Sequence, residues 1–66
     1  MEITVNGQTK TFLAPISAES LINTSCKKPE LVICELNGAI LDRKEWVSTQ
    51  LKTHDRIELI SFVGGG

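Results

Sequence analysis

Three consecutive glycines at positions 64 to 66 have the clearest potential for chemistry in this sequence. Glycine makes no side-chain contacts and loses more conformational freedom on folding than any other residue, so this run predicts a flexible tail. From Phe62 to Gly66 the backbone extends by roughly 3.3–3.6 Å per residue, which carries the end of the tail well beyond the folded body. A backbone without side chains also fits a channel that is too narrow for any other residue.

The group that such a tail presents is the α-carboxylate of Gly66. This carboxylate is ionised at neutral pH and is a poor electrophile, so it must first be activated as an acyl-phosphate or acyl-adenylate. We expect a partner enzyme to supply the ATP and Mg²⁺ for this step, and we expect the chain itself to bind no cofactor. The tail also fits a frayed terminus without a role, and its glycines alone leave both interpretations open.

Length and composition exclude several other classes of protein. The chain has 66 residues, of which 41% are apolar and 23% are charged, so it predicts one small folded domain over residues 1–63 followed by the tail at 64–66. The formal net charge is −1, and the longest basic runs are two residues long, at 27–28 and 43–44. Nucleic acid is therefore not an expected partner.

The sequence also allows predictions about cellular location and metal binding. The sequence shows no leader and no apolar stretch of the roughly 18 residues that a membrane span needs, so we expect a cytoplasmic protein without a membrane partner. Cys26 and Cys34 are eight positions apart, which suits neither a redox pair nor a set of metal ligands. His54 has no nucleophile or ligand beside it in the sequence, and we expect it on the surface.

The elements that position the tail follow from local patterns. Alternating apolar residues at 1–5 predict a strand, the pair Asn6-Gly7 predicts a two-residue hairpin turn, and residues 9–13 predict a second strand that Pro15 ends. Ser17 predicts the cap of a helix of about two turns that begins at Ala18.

The second half of the chain is read in the same way. Residues 31–37 predict a strand that is covered on both faces, and residues 40–41 predict a very short strand after a turn. Asp42 and Glu45 resemble a capping box for one helical turn that carries Trp46, whose ring we expect to pack on the sheet. Residues 56–63 predict the last strand. We therefore expect an α+β fold in which one main helix lies across one face of a mixed, four- to five-stranded sheet.

The last strand predicts a docking surface at the base of the tail. Ile57 and Leu59 alternate with Ile60 and Phe62, so the second pair lies on the opposite face and, with Val63, is predicted to bind a partner. Burial of Ile60 and Phe62 beneath a neighbouring loop is the alternative. Arg43 is either a solvated charge or a group that pairs with an acidic partner surface.

Three blocks of sequence carry a family resemblance, namely Asn37-Gly38-x-Ile40-Leu41-x-Arg43-x-x-Trp46, Asp55-x-Ile57-Glu58-Leu59 and Phe62-Val63-Gly64-Gly65-Gly66. Together they resemble the ThiS family, the sulfur-carrier proteins of thiamin biosynthesis. The diglycine ending is shared with ubiquitin and with the small subunit of molybdopterin synthase. The first block favours the thiamin branch, and the resemblance covers almost the whole chain.

The resemblance implies a ubiquitin-like β-grasp fold and a carrier without catalytic activity. It implies that an activating enzyme, an adenylyltransferase related to the ubiquitin activators, adenylylates Gly66 and that the carboxyl group becomes a thiocarboxylate. The sulfur would then pass to thiazole synthase. The rival hypotheses are a ubiquitin-like protein modifier, a sulfur carrier for molybdopterin or cysteine synthesis, and a binding module with an incidental tail.

Overall fold

The computed structural model describes residues 1–13 and 15–61. This part of the chain forms five strands and one α-helix, in the order β1 (Glu2–Val5), β2 (Gln8–Thr11), α1 (Ala18–Ser25), β3 (Val32–Leu36), β4 (Ala39–Leu41) and β5 (Arg56–Ser61). The strands make one sheet in the order β2-β1-β5-β3-β4. Strands β1 and β5 are parallel, and the other neighbours are antiparallel, so the predicted mixed sheet is confirmed.

The first hairpin has the predicted turn. Asn6 and Gly7 both have positive φ angles, 49° and 82°, which a two-residue type I′ turn requires and which these residue types tolerate best. Strand β2 ends at Thr11 and not at Leu13 as predicted, because Thr11 pairs with Glu2, the first residue of β1. Leu13 is fully exposed.

Helix α1 begins at the predicted residue. The Ser17 hydroxyl accepts a hydrogen bond from the Ser20 N–H at 3.1 Å, which satisfies one of the free donors of the first turn. The apolar side chains Ala18, Leu21 and Ile22 lie on one face of the helix and are completely buried. Among the described residues, no helix is long and apolar enough to cross a membrane.

The core lies between this helix and one face of the sheet. It is a single cluster of buried residues from the helix, the sheet and the segment after β4, whose members are Ile3, Val5, Ala18, Leu21, Ile22, Val32, Cys34, Trp46, Leu51 and Ile57. One helix therefore covers one face, as predicted. The opposite face of the sheet has no helix from the described part of the chain.

Strand β3 differs from the prediction in its length and in its covering. It spans Val32–Leu36, because Pro29–Leu31 form a 3₁₀ turn and Asn37 begins the next turn with a φ of 52°. Val32 and Cys34 face the core, whereas Ile33 on the other face is only half-buried. The prediction that both faces of this strand are covered is wrong, since the short helix reaches only one side of the sheet.

The turns in the second half of the chain are partly as predicted. Arg43–Glu45 form a 3₁₀ turn, but the Asp42 side chain makes no capping hydrogen bond, so the capping box is wrong. His54 occupies a turn with a φ of 73°. The Asp55 carboxylate holds this turn, because it accepts hydrogen bonds from the Lys52 N–H at 2.7 Å and from the Asn37 side-chain amide at 3.0 Å.

Candidate partner-binding site on the central strand

The candidate site begins with β5, the middle strand of the sheet and the strand that precedes residues 62–66. Ile57 is completely buried beneath α1, and Leu59 on the same face is half-buried. Ile60 points to the opposite face and is 46% exposed. The predicted division between these side chains is confirmed, and Ile60 is not covered by a neighbouring loop of the described chain.

Ile60 shares its face of the sheet with apolar residues of β3 and β4. Ile33 of β3 lies directly opposite Ile60, and Ile40 of β4 lies opposite Glu35, the next residue of β3 on this face. Ile40 is 68% exposed. Together Ile33, Ile40 and Ile60 form what we call the open-face patch. Two of these side chains are exposed and Ile33 is half-buried, and an apolar surface that draws on three strands is typical of an interaction site, whereas single exposed side chains are ordinary.

Two carboxylates border the open-face patch. Glu35 of β3 and Glu58 of β5 are direct partners across the strands, and their side chains share the open face. Like charges directly opposite each other on neighbouring strands destabilise a sheet. A partner surface with a positive group at this place would relieve the repulsion, so the border favours a partner that combines apolar and basic side chains.

Arg43 has an intramolecular role. One guanidinium nitrogen donates to the carbonyl of Pro29 at 3.0 Å, and the other donates to the carbonyls of Glu30 and Val32 at 3.1 Å each. The guanidinium also lies over the Trp46 ring, 4.4 Å from its centroid. Arg43 thereby ties the segment after β4 to the start of β3. Its predicted contact with a partner stays a prediction.

Trp46 packs inside the domain. It is 4% exposed, and its indole N–H donates to the Leu41 carbonyl at 3.1 Å. The prediction that this ring packs on the sheet is confirmed. A buried indole that has a hydrogen-bond partner is a structural group, so the aromatic ring is not available as a contact for a partner.

The cysteines and the histidine do not form a catalytic group. Cys34 is buried, and its burial raises the pKa of the thiol, with smaller contributions from nearby Cys26 and Glu35. Cys26 is half-buried, and His54 is exposed on its turn, as predicted. Within residues 1–13 and 15–61, no group of three or more His, Cys, Asp or Glu side chains is placed to hold a metal ion.

The remaining predicted site residues lie outside the described residues. These are Phe62, Val63, Gly64, Gly65 and Gly66, so the tail, its chemistry and the domain boundary at residue 63 stay predictions. The described chain ends at Ser61 on the central strand. Ile60 of the open-face patch is therefore only two residues from Phe62.

A mixed sheet with the order β2-β1-β5-β3-β4 and one helix across one face defines a protein of the ubiquitin-like β-grasp class. Residues 3–66 match the model of the ThiS family, so the chain belongs to that family. It is similar to the crystal structure of the thiamine biosynthesis protein (ThiS) from Geobacter metallireducens, with a TM-score of 0.85, 33% identity and coverage of 100% of both chains. The fold predicted from the resemblance is confirmed.

Two further proteins are similar to this whole chain but differ in how much of their own length the similarity covers. An uncharacterised protein, ycf40, from Pyropia yezoensis is 36% identical over 66 residues, which are 100% of this chain and 93% of that protein. A thiazole synthase from Magnetococcus marinus is 33% identical over 66 residues. In that case the match covers 100% of this chain but only 20% of the longer protein.

The sequence pattern identifies Ile60 but not Ile33 and Ile40 as members of the same surface. It predicts a strand covered on both faces around Ile33 and a very short strand at Ile40, and it places neither residue at a docking surface. The alternation in residues 31–36 did place Ile33 opposite Val32 and Cys34. What the sequence lacked was the pairing of β3 with β5, which brings Ile33 beside Ile60.

Proposed function

We propose that this chain is a sulfur carrier in thiamin biosynthesis and that Gly66 carries the sulfur as a thiocarboxylate. Membership of the ThiS family over residues 3–66 is the observation that supports this proposal most strongly. The similarity to a thiamine biosynthesis protein over the full length of both chains supports it further. The carrier has no catalytic role in this proposal, and the reactions take place in the cytoplasm.

The chemistry has two steps, both at the carboxyl group of Gly66. A carboxylate oxygen attacks the α-phosphorus of ATP in the activating enzyme, with Mg²⁺ present, and pyrophosphate leaves. The resulting acyl-adenylate is an electrophile. Sulfur at the oxidation level of hydrosulfide then attacks its carbonyl carbon, AMP leaves with the bonding electron pair, and loss of the S–H proton gives the thiocarboxylate. Sulfur in this group is a far better nucleophile than the original carboxylate oxygen.

Thiazole synthase is the proposed acceptor of this sulfur. The thiazole synthase from Magnetococcus marinus contains a segment similar to this whole chain within a longer protein. Joining two modules in one chain raises their effective concentration toward each other, which is an advantage only for modules that act together. This relation supports a pairing between the carrier and thiazole synthase.

The proposed binding site for the activating enzyme is the open-face patch. Its apolar side chains lie on the central strand β5 and on β3 and β4, and Ile60 is only two residues from Phe62. An enzyme that holds this patch restricts the tail to the volume near its active site, which raises the effective concentration of the carboxylate there. The acidic border of Glu35 and Glu58 adds charge recognition.

The first test of the proposed function is the intact mass of the protein. The chain is incubated with the activating enzyme, Mg-ATP and a sulfur source, and a variant without Gly66 serves as the control. A mass gain equal to the difference between sulfur and oxygen, absent in the control, is the expected result. No mass change with an active enzyme would contradict the proposal and would favour a protein modifier, which isopeptide-linked conjugates in cell extracts would reveal.

The second test concerns the open-face patch. Ile60→Asp places a charge in its apolar surface, and we expect the affinity for the activating enzyme to fall by at least about tenfold. Val47→Asp is the matched control, because Val47 is an apolar side chain that is 61% exposed outside the patch. Unchanged affinity in a folded Ile60→Asp variant, measured by calorimetry, would remove the patch from the proposal.

A further inference from the structure

A groove of about 590 Å³ lies on the helix side of the sheet, at the C-terminal end of α1. Its lining includes apolar side chains from three adjacent strands, Val5 of β1, Leu59 of β5 and Val32 of β3. These side chains belong to the face opposite the open-face patch. The groove therefore has an apolar floor beside the same central strand, in which Leu59 is half-buried and the two valines are almost completely buried. Ser61, the last described residue of β5, also lines it.

The charge around this groove has one sign. Lys10, Lys27 and Lys28 line it, and its described lining includes no acidic residue. These are three of the seven basic residues of the chain, and the remaining four share the rest of the molecule with eight acidic residues. A chain with a net charge of −1 thus concentrates positive charge in one place, which favours an acidic ligand.

The C-terminal end of strand β5 has unpaired backbone groups beside the groove. Its pairing with β1 consists of Thr4 with Arg56 and Val5 with Ile57, after which the Asn6 side-chain oxygen accepts the Leu59 N–H at 2.7 Å. The chain turns away from β5 at this asparagine. The next backbone groups on this side of β5, the Leu59 carbonyl and the Ser61 N–H, thus lie past the end of β1, with no strand of the described chain beside them.

We propose that this groove binds an extended, acidic segment of a partner protein. Alternate side chains of the segment face the groove, where apolar ones rest on its floor and carboxylates on the same side of the segment meet the three lysines. Its backbone pairs with the Leu59 carbonyl and the Ser61 N–H in the manner of strand addition. A protein segment fits better than single-stranded nucleic acid, because the described lining has no aromatic ring on which bases stack.

The groove and the open-face patch lie on opposite faces of β5. One partner on each face would contact the base of the tail from a different side, so two partners need not compete for the same residues. The groove proposal rests on its own geometry and charge and does not depend on the thiocarboxylate chemistry of Gly66.

The test is an NMR titration of the ¹⁵N-labelled full chain with a capped heptapeptide. Its alternate residues, which face the groove together, are glutamate, valine, valine and glutamate, and threonine stands between them. We expect saturable shifts of the amide signals of Cys26, Lys28, Leu59 and Ser61. The double variant K27E/K28E should weaken binding by at least about tenfold. The double variant K44E/K52E has the same change in charge outside the lining of the groove, and it should change the affinity less than about twofold.

A matched peptide with glutamine in place of glutamate should bind at least about fivefold more weakly, because it keeps the apolar side chains and loses the charge. The spectra themselves show whether each variant is folded. The proposal is overturned by the absence of saturable shifts, by shifts centred on Ile33 and Ile40, or by equal losses in the two double variants. It is also overturned if a single-stranded oligonucleotide moves the same signals at lower concentration than the peptide.

Discussion

At the scale of single residues, Arg43 shows how one side chain can hold two segments that are distant in sequence. Its planar guanidinium reaches three carbonyls at the turn before β3 and stacks on Trp46. A lysine carries the same charge but lacks both the fork of donors and the flat face. These contacts within the described part of the domain give the arginine at this position a structural role.

We predict that Arg43→Ala lowers the free energy of unfolding by about 1–2 kcal/mol, because three backbone carbonyls lose a charged donor and Trp46 loses its covering. Arg43→Lys should recover less than half of this loss. The measurement is urea unfolding followed by the fluorescence of Trp46, the single tryptophan of the chain. Lys44→Ala is the control, and equal stability of Arg43→Ala and the control would refute the structural role.

We predict that the free energy of unfolding depends on pH because the thiol of Cys34 is buried. Burial raises the pKa of its thiol in the folded protein, so the unfolded chain loses this proton at lower pH than the folded chain does. The contribution to stability is complete below the ordinary thiol pKa of about 8.5 and is lost as the pH rises through the folded pKa. Stability should therefore fall as the pH rises above this ordinary thiol pKa.

The control for this effect is a pair of variants measured by urea unfolding at each pH. Cys34→Val removes the buried thiol with little change in side-chain volume. As the pH rises above the ordinary thiol pKa, the free energy of unfolding of this variant should fall less than that of the wild type. Cys26→Ala keeps Cys34, so most of the fall should remain. Identical pH profiles for the wild type and Cys34→Val would show that another group is responsible.

At the scale of elements, helix α1 is stabilised mainly by its cap and its buried face. A helix of eight residues is marginal by itself, since the first turn costs more conformational entropy than its hydrogen bonds return. Ser17 supplies the cap, and three completely buried side chains supply the packing. A substitution at Ser17 tests the cap alone, because Ser17 precedes the helix and is not one of the three buried side chains.

We predict that Ser17→Ala lowers the free energy of unfolding by about 1 kcal/mol, because the Ser20 N–H loses its acceptor. Ser17→Asp should stay within about 0.5 kcal/mol of the wild type, since aspartate caps a helix equally well and favours the positive end of its dipole. Thermal unfolding followed by circular dichroism measures both variants. A loss of equal size in both would show that the hydroxyl has another function.

At the scale of the whole molecule, one helix can cover only one face of a five-stranded sheet. The buried core lies on that face, whereas the open-face patch contributes little to folding because its side chains stay in contact with water. Apolar residues that a fold does not need for its core are available for binding. The same geometry leaves the groove at the end of α1, where the short helix no longer covers the sheet.

This distinction predicts different costs for substitutions on the two faces of β5. Ile60→Thr keeps a β-branched side chain on an exposed position, so the free energy of unfolding should change by less than about 1 kcal/mol. Ile57→Ala removes buried atoms and should cost about 2–5 kcal/mol. Ile40→Thr is a second exposed comparison. Chemical unfolding at one pH compares all three, and a large loss in Ile60→Thr would show that the patch belongs to the core.

The local features of this protein were predictable because neighbouring residues decide them. Asn6 and Gly7 accept positive φ angles, Ser17 offers an acceptor to the first turn of α1, and alternation separates Ile57 from Ile60. The features that failed depend on distant parts of the chain. Whether β3 is covered on both faces depends on the reach of α1, and the pattern of residues 31–37 contains no information about that reach.

The sequence by itself determined the elements, the one-helix architecture, the family resemblance and the proposal for Gly66, since these follow from local conformational preferences and from motifs. The tertiary structure decided that β5 lies between β1 and β3 and that Ile33, Ile40 and Ile60 share one surface. It also decided that Arg43 reaches the turn before β3 and that three lysines surround one groove. Each of these depends on strand pairing between distant segments, and such pairing is selected by the packing of the whole core rather than by any local pattern.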